Sequence, residues 1–322
     1  MTEKSAVPAR LYKYKRFDPQ TLSMLILDQL YFADPTNFND PLDTRPSISA
    51  DLDAPGLETI LRRLVEQRIH AEMTAAAKSI QYKGPKTIDH IARLSRLRVD
   101  SLISEIAYNA TNPEYEMDNP QSFLLANYLE EELLKRYEKG IVSLTEKIDC
   151  PLMWSHYGDQ HRGICIGYSV PTTRPLDLRK VKYGGSRLVA ASDVLKMLDG
   201  DEHAQERVDN AVLFRKAAPW KYEIEWRLIG ARGPQGSLLE LEEIVFGVRC
   251  DATVAYTVVK ALDGRQGTIK FFQMREINGT FGLTKAELDI DEALATWPRR
   301  FLTTTEGLES FDASAYLDKS DA

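Results

Sequence analysis

Long apolar runs are missing from this chain of 322 residues. No stretch approaches the ~20 consecutive apolar residues that cross a bilayer. The most apolar early run, Met24 to Leu27, is cut by Asp28. The opening MTEKSAVPAR has no apolar segment of the kind a secretory signal carries. Cysteine is scarce. Cys150, Cys165 and Cys250 stand far apart and form no CxxC pair. That argues against a disulfide framework or a structural zinc site and fits a reducing cytoplasm, with no membrane partner. An excess of basic charge is also absent: 41 Lys and Arg face 48 Asp and Glu, a net charge of −7. Such a chain does not coat nucleic acid by bulk charge, although a local basic surface is compatible with it. There is no internal repeat and no low-complexity segment.

What is present falls into blocks. Residues 10–50 read as strands with one short helix. Leu11-Tyr12-Lys13-Tyr14-Lys15 alternates, so Tyr12 and Tyr14 share a face. Asp18-Pro19 is a helix start, with Asp18 as cap and Pro19 at the first helical position. Asp34 to Asp43 is a dense turn segment. Residues 56–139 read as a helical insertion of three helices, the third opened by Asn119-Pro120. Between residues 56 and 107 nine basic residues face six acidic ones, a local surplus of 9 − 6 = +3. A solvated helix face explains this surplus best. A contact surface for nucleic acid or an acidic partner is the sharper reading. Residues 141–290 are strand-rich, and 300–322 form a polar tail. The pattern predicts an α+β fold, with a strand-rich core made from 10–50 and 141–290.

Three constellations carry chemical potential. In Tyr222-Glu223-Ile224-Glu225-Trp226-Arg227 the alternation predicts one strand over 222–229. Tyr222, Ile224, Trp226 and Leu228 would face the core, and Glu223, Glu225 and Arg227 the other side. Two carboxylates about 7 Å apart on one strand face can flank a reacting centre. A plain half-exposed strand with Glu225 paired to Arg227 is equally compatible. On either view Glu225→Gln is expected to cost about 1 kcal/mol or less, as surface changes do. The second constellation is Met153 to Gly163, with Trp154, His156, Tyr157 and His161. It reads as an aromatic and polar wall for a ligand, or as a structural turn. Ser155 and His156 would point opposite ways on an extended chain, a poor nucleophile–base pair. The two histidines lack a third metal ligand nearby. The third is Asn39-Asp40-Pro41-Leu42-Asp43, read first as turn formers. Ser143 and Thr145 share a strand face.

The order LYKY, LYF…NDPLD, GIVSL, MWSHYxxxHxGICIGY, WKYEIEWRLI and IVFGV resembles a widespread bacterial family of unknown function, some of whose members occur near phage-defence genes. It covers roughly 10–50 and 141–250. More weakly, the chain resembles ADP-ribosyltransferases. That superfamily has an aromatic-basic motif on an early strand, a serine-bearing strand, then Glu-x-Glu. Here Tyr12-Lys13, Ser143-Leu144-Thr145 and Glu223-Ile224-Glu225 stand in that order, with lysine at the basic position. The resemblance implies NAD as the bound nucleotide and a nucleic-acid or protein acceptor. It implies Glu225 and Glu223 as catalytic carboxylates, and a nucleotide held by Ser143 and Thr145 with Tyr12, Lys13 or Tyr14. It also implies a role in phage defence or as a toxin. Two other functions fit the same residues. Asp40, Asp43, Glu223 and Glu225 could hold Mg²⁺ or Mn²⁺ for phosphodiester cleavage. Alternatively Trp154, His156, Tyr157 and His161 could line a non-catalytic nucleotide-binding pocket.

Overall fold

A computed structural model describes residues 6–81, 87–137, 139–171 and 176–294. The polar tail lies outside the described residues. The first block supplies β1 (Arg10–Lys15), α1 (Pro19–Ile26), β2 (Gln29–Phe32) and β3 (Ser47–Ser49). Asp18 caps α1 by accepting from the Thr21 N–H at 2.7 Å, and Pro19 occupies its first position.

Helices α2 (Ala54–Ser79), α3 (Thr87–Asn109) and α4 (Pro120–Arg136) follow. Leu57, Ile60, Leu61, Leu64, Val65 and Ile69 make the buried stripe of α2. Asn119 caps α4. This apolar cluster does not close on itself. It continues into residues far along the chain, from Val189 to Phe214. Those come from β8 and two later helices.

The remainder comprises β4 (Gly140–Thr145), α5 (Pro151–Tyr157), β5 (Ile164–Ser169), β6 (Leu178–Lys180), β7 (Lys182–Tyr183), β8 (Leu188–Ala190), α6 (Ala191–Leu198) and α7 (Glu202–Leu213). Then come β9 (Arg215–Lys216), β10 (Glu225–Gly230), β11 (Gly233–Gly236), β12 (Glu240–Phe246), α8 (Ala252–Ala261), β13 (Lys270–Glu276), β14 (Leu283–Glu287) and α9 (Ile290–Leu294). The fold is α+β. Eight strands form one sheet in the order β14-β13-β12-β5-β1-β4-β10-β6, antiparallel except for the β12–β13 pair. Among the described residues, no helix is long and apolar enough to cross a membrane.

The strand alternation assigns the two faces of this sheet. Leu11, Val142, Leu144, Trp226 and Leu228 pack on one side with Leu25 of α1 and Val258 of α8. On the other side Tyr12 stands opposite Thr145, Glu225 opposite Thr145, and Arg227 opposite Ser143. β1 runs against β5 from Arg10 to Lys15 but meets β4 at Tyr12 opposite Thr145. Beside that narrow junction the Lys13 ammonium donates to the Ser143 carbonyl at 2.9 Å. The face that carries Glu225 and Arg227 therefore looks toward the helical half of the molecule.

Candidate active site

The strand expected over 222–229 is shorter. Ala218–Glu223 forms a 3₁₀ turn, Ile224 is left-handed at φ 45°, and β10 begins at Glu225. A β-branched residue at positive φ costs on the order of 1–3 kcal/mol and persists where the surroundings enforce it. Thr145 helps enforce it: its hydroxyl donates to the Glu223 carbonyl, while Tyr183 accepts from the Glu225 N–H at 2.7 Å. The kink swings Glu223 out of the strand line so that it converges with Glu225. Tyr222 and Ile224 thus fall outside the strand, and Trp226 and Leu228 alone keep the expected core-facing alternation.

The reading of a half-exposed strand is overturned. Glu223 and Glu225 are each 3% exposed, and Arg227 is fully buried. Arg227 Nε donates to Glu225 at 2.8 Å, its Nη2 to both oxygens of Asp43 at 2.6 and 2.8 Å, and its Nη1 to the Leu213 carbonyl. Lys216, on β9, places Nζ 2.6 Å from Glu223, 3.3 Å from Glu225 and 3.6 Å from Asp43. Tyr157 donates to the other oxygen of Glu223 at 2.7 Å. Glu225→Gln is therefore a core substitution: it removes half of a buried ion pair, a change that costs several kcal/mol.

Burial pushes both glutamates up, but their neighbours separate them. Arg227 and Lys216, with the Ser143 hydroxyl, outweigh burial at Glu225 and hold its carboxyl down at about 2. Lys216 and Tyr157 oppose burial at Glu223 less completely, Glu225 adds repulsion, and its carboxyl stays above the ordinary range. Burial, with repulsion from Lys15, brings Lys13 down to about 7 despite Glu225 nearby. Two carboxylates pushed apart in this way is the arrangement that separates an ionised stabiliser from a proton acceptor.

The two glutamates border a pocket of about 280 Å³. Tyr12, Lys13, Tyr14, Ser143, Thr145, Tyr157, Glu223 and Glu225 all line it, together with Asn37, Phe38, Asn39 and Lys216. Tyr14 is nonetheless largely structural: its hydroxyl donates to the Lys147 carbonyl and its ring meets Trp154 edge-on at 5.0 Å.

The segment from Met153 corrects the extended reading. It is helical through Tyr157, so Met153 and Tyr157 reach the pocket from successive turns. Trp154 is fully buried and donates to the Ile148 carbonyl, so it is a core residue and not part of a ligand wall. His156 is exposed and lies outside the pocket lining, grouped with the half-buried Trp220 and Tyr222. His161 stacks on Trp154 from a left-handed turn, and its Nε2 lies 3.2 Å from the Ser155 hydroxyl. The two histidines are thus directed to different neighbours.

Residues 153–228 match a family described as protein of unknown function (DUF2971). No curated protein and no solved structure matches the chain. The matched segment is narrower than the 10–50 and 141–250 covered by the sequence motifs. It begins on α5 and ends in β10, and so spans Tyr157, Lys216, Glu223, Glu225 and Arg227. Lys13, Asp43 and Ser143 reach the same pocket from outside it.

Sequence reasoning missed Lys216 and underrated Asp43. Lys216 follows α7 in Phe214-Arg215-Lys216-Ala217, where no local periodicity marks it. Asp43, in a turn-forming segment, is 5% exposed and bound to a guanidinium 184 residues away. Asp40 does have a turn role, accepting from the Leu42 N–H, and it also accepts from Trp220 Nε1 at 2.8 Å. Asp43, Glu223 and Glu225 converge on the Lys216 ammonium and not on an open cation site. Among the described residues no group of three or more His, Cys, Asp or Glu is placed to hold a metal ion.

Proposed function

We propose that this protein cleaves the N-glycosidic bond of NAD and transfers ADP-ribose to a macromolecule or to water, in phage defence or as a toxin. NAD is the substrate in this reading. One observation carries it. Tyr12-Lys13, Ser143 with Thr145, and Glu223 with Glu225 are separated by more than a hundred and by about eighty residues, yet they lie on or beside the adjacent strands β1, β4 and β10 and line one pocket. That is the juxtaposition the order of the motifs leads one to expect of an ADP-ribosyltransferase.

The chemistry follows from the charges. With Glu223 ionised, three carboxylates face Lys216 and Arg227, which leaves 3 − 2 = 1 net negative charge at the pocket floor when Lys13 is neutral. As the bond from the ribose C1 to the pyridinium nitrogen breaks, its electron pair leaves with neutral nicotinamide and positive charge develops on the ribose. Preorganised negative charge in a buried site stabilises that cation. Glu225, ionised at every pH of interest, supplies it. The acceptor oxygen or nitrogen then bonds to C1, and its proton passes to Glu223. The rings of Tyr12, Phe38 and Tyr157 supply flat apolar walls for the nucleotide.

Nicotinamide release from NAD by the purified protein tests this, alongside Glu225→Gln and Glu223→Gln, with folding of each variant verified by circular dichroism. Release should fall by about 10²-fold or more in Glu225→Gln. Absence of release by the parent protein, with cell extract added as a source of acceptors, would sink the reading.

A further inference from the structure

The two buried cations of the site have different duties. Arg227 spends its donors on Asp43, Glu225 and the Leu213 carbonyl. Asp43 and Glu225 therefore have a fixed partner without any help. Glu223 has no contact with that guanidinium; its oxygens are held by Lys216 Nζ at 2.6 Å and by the Tyr157 hydroxyl at 2.7 Å. The lysine is itself tightly placed. β9 pairs with β7 in parallel, with Lys216 beside Tyr183, and the Lys216 carbonyl accepts from the Gly184 N–H at 2.8 Å. Its ammonium sits 5.0 Å from the centre of the Trp220 ring, and Trp220 is anchored by Asp40. The side chain is buried and its ammonium is held by three carboxylates, so the amine keeps its place at the pocket wall.

We propose that Lys216 is a positioning residue that keeps Glu223 ionised and aimed into the pocket, so that Glu223 can take the acceptor's proton. This inference rests on the reaction proposed above. The groups facing Glu223 leave this task to Lys216. Glu225 on β10 repels it, and Asp43 adds negative charge to the same ammonium. Tyr157 of α5 donates a hydrogen bond but carries no charge. Lys13 of β1 lines the same pocket and is drawn toward neutrality by burial. Tyr222, beside it in the chain, also stays neutral. Without the ammonium, Glu223 would be a buried carboxylate next to another carboxylate, and it would hold its proton to higher pH.

The acid limb of the kcat/KM–pH profile for nicotinamide release reports ionisation of the base. Lys216→Gln should move that limb upward by about one pH unit or more, and lower kcat at neutral pH. Lys216→Arg, which keeps the charge, should return the limb toward the parent position. Should Lys216→Gln fold poorly, Lys216→Gln with Asp43→Asn removes one carboxylate along with the ammonium, and the limb should still lie high. An independent readout is the carboxyl carbon of ¹³C-labelled glutamate, with Glu223 assigned by its loss in Glu223→Gln. Its titration should move up in Lys216→Gln whether or not NAD turns over. An unshifted limb and unshifted titration, with only thermal stability lowered, would overturn the positioning role. A shifted titration in a protein that releases no nicotinamide would overturn the reaction and leave the charge relation standing.

Discussion

Two carboxylate clusters share one sheet, each around a buried glutamate, and they are built differently. At Glu243 on β12, a carboxylate 1% exposed is met by Lys285 of β14 at 2.8 and 2.9 Å and by Arg10 of β1 at 2.7 Å, and Arg10 also pairs with Glu242. Two carboxylates face two cations, all carried by strands. At Glu225 three carboxylates face two cations, and only Glu225 and Arg227 ride on a long strand. Asp43 comes from a loop, Lys216 from a two-residue strand and Glu223 from a 3₁₀ turn. The first cluster ties strands together. The second gathers three carboxylates around two cations beside a cavity and adjoins a left-handed Ile224, and such cost is retained where it serves a site.

Removing one cation from each cluster separates the two most strongly. Arg227→Met strands Asp43 and Glu225 in the interior and should cost about 3–5 kcal/mol in urea denaturation. Lys285→Met leaves Glu243 with Arg10, and the lysine itself is partly exposed, so its cost should be clearly smaller. Equal losses would mean that the two clusters do the same structural work.

A pH titration of stability sharpens the same contrast. The folded Glu225 carboxyl is held at about 2, below its ordinary 4.5. Its stabilising contribution is then complete above about pH 4.5 and is lost as pH falls toward 2, because the unfolded chain binds the proton first. Glu225→Gln should flatten the stability curve in that window, relative to the parent. A parent and variant whose curves run parallel between pH 4.5 and 2 would show that Arg227 and Lys216 do not hold this carboxylate down.

The helices were legible because their signals are local. Asp18-Pro19 and Asn119-Pro120 mark helix starts whose caps close within three residues, and the stripe from Leu57 to Ile69 repeats at helical spacing. The site was legible only as a set of residue types. The alternation from Tyr222 to Leu228 reads as an unbroken strand, and nothing in the letters reveals that Ile224 takes a positive φ. The burial of Glu223, Glu225 and Arg227 depends on Asp43 and Lys216, which approach from other parts of the chain. Trp154 looked like a ligand wall because aromatic and histidine residues crowd around it. The helical spacing of Met153, Trp154 and Tyr157 after Pro151 was the signal that would have separated core from pocket.

The smallest expected effect sets the baseline for the comparison. On α2, Arg62 pairs with Glu58 one turn away at 2.8 Å and with Asp100 of α3 at 2.5 Å. In count of partners this resembles Arg227, since one guanidinium serves two carboxylates. It differs in surroundings: the Arg62 side chain is 35% exposed and Asp100 is 59% exposed. Water solvates all three groups, so the pairs gain little over the separated charges and are screened by salt. Arg62→Gln should therefore change stability by less than about 1 kcal/mol, and the change should shrink further in added salt. A loss approaching that of Arg227→Met would mean that pairing alone, rather than exclusion of water, sets the energy of these clusters. Burial would then not distinguish Glu225 and Arg227 from a surface pair.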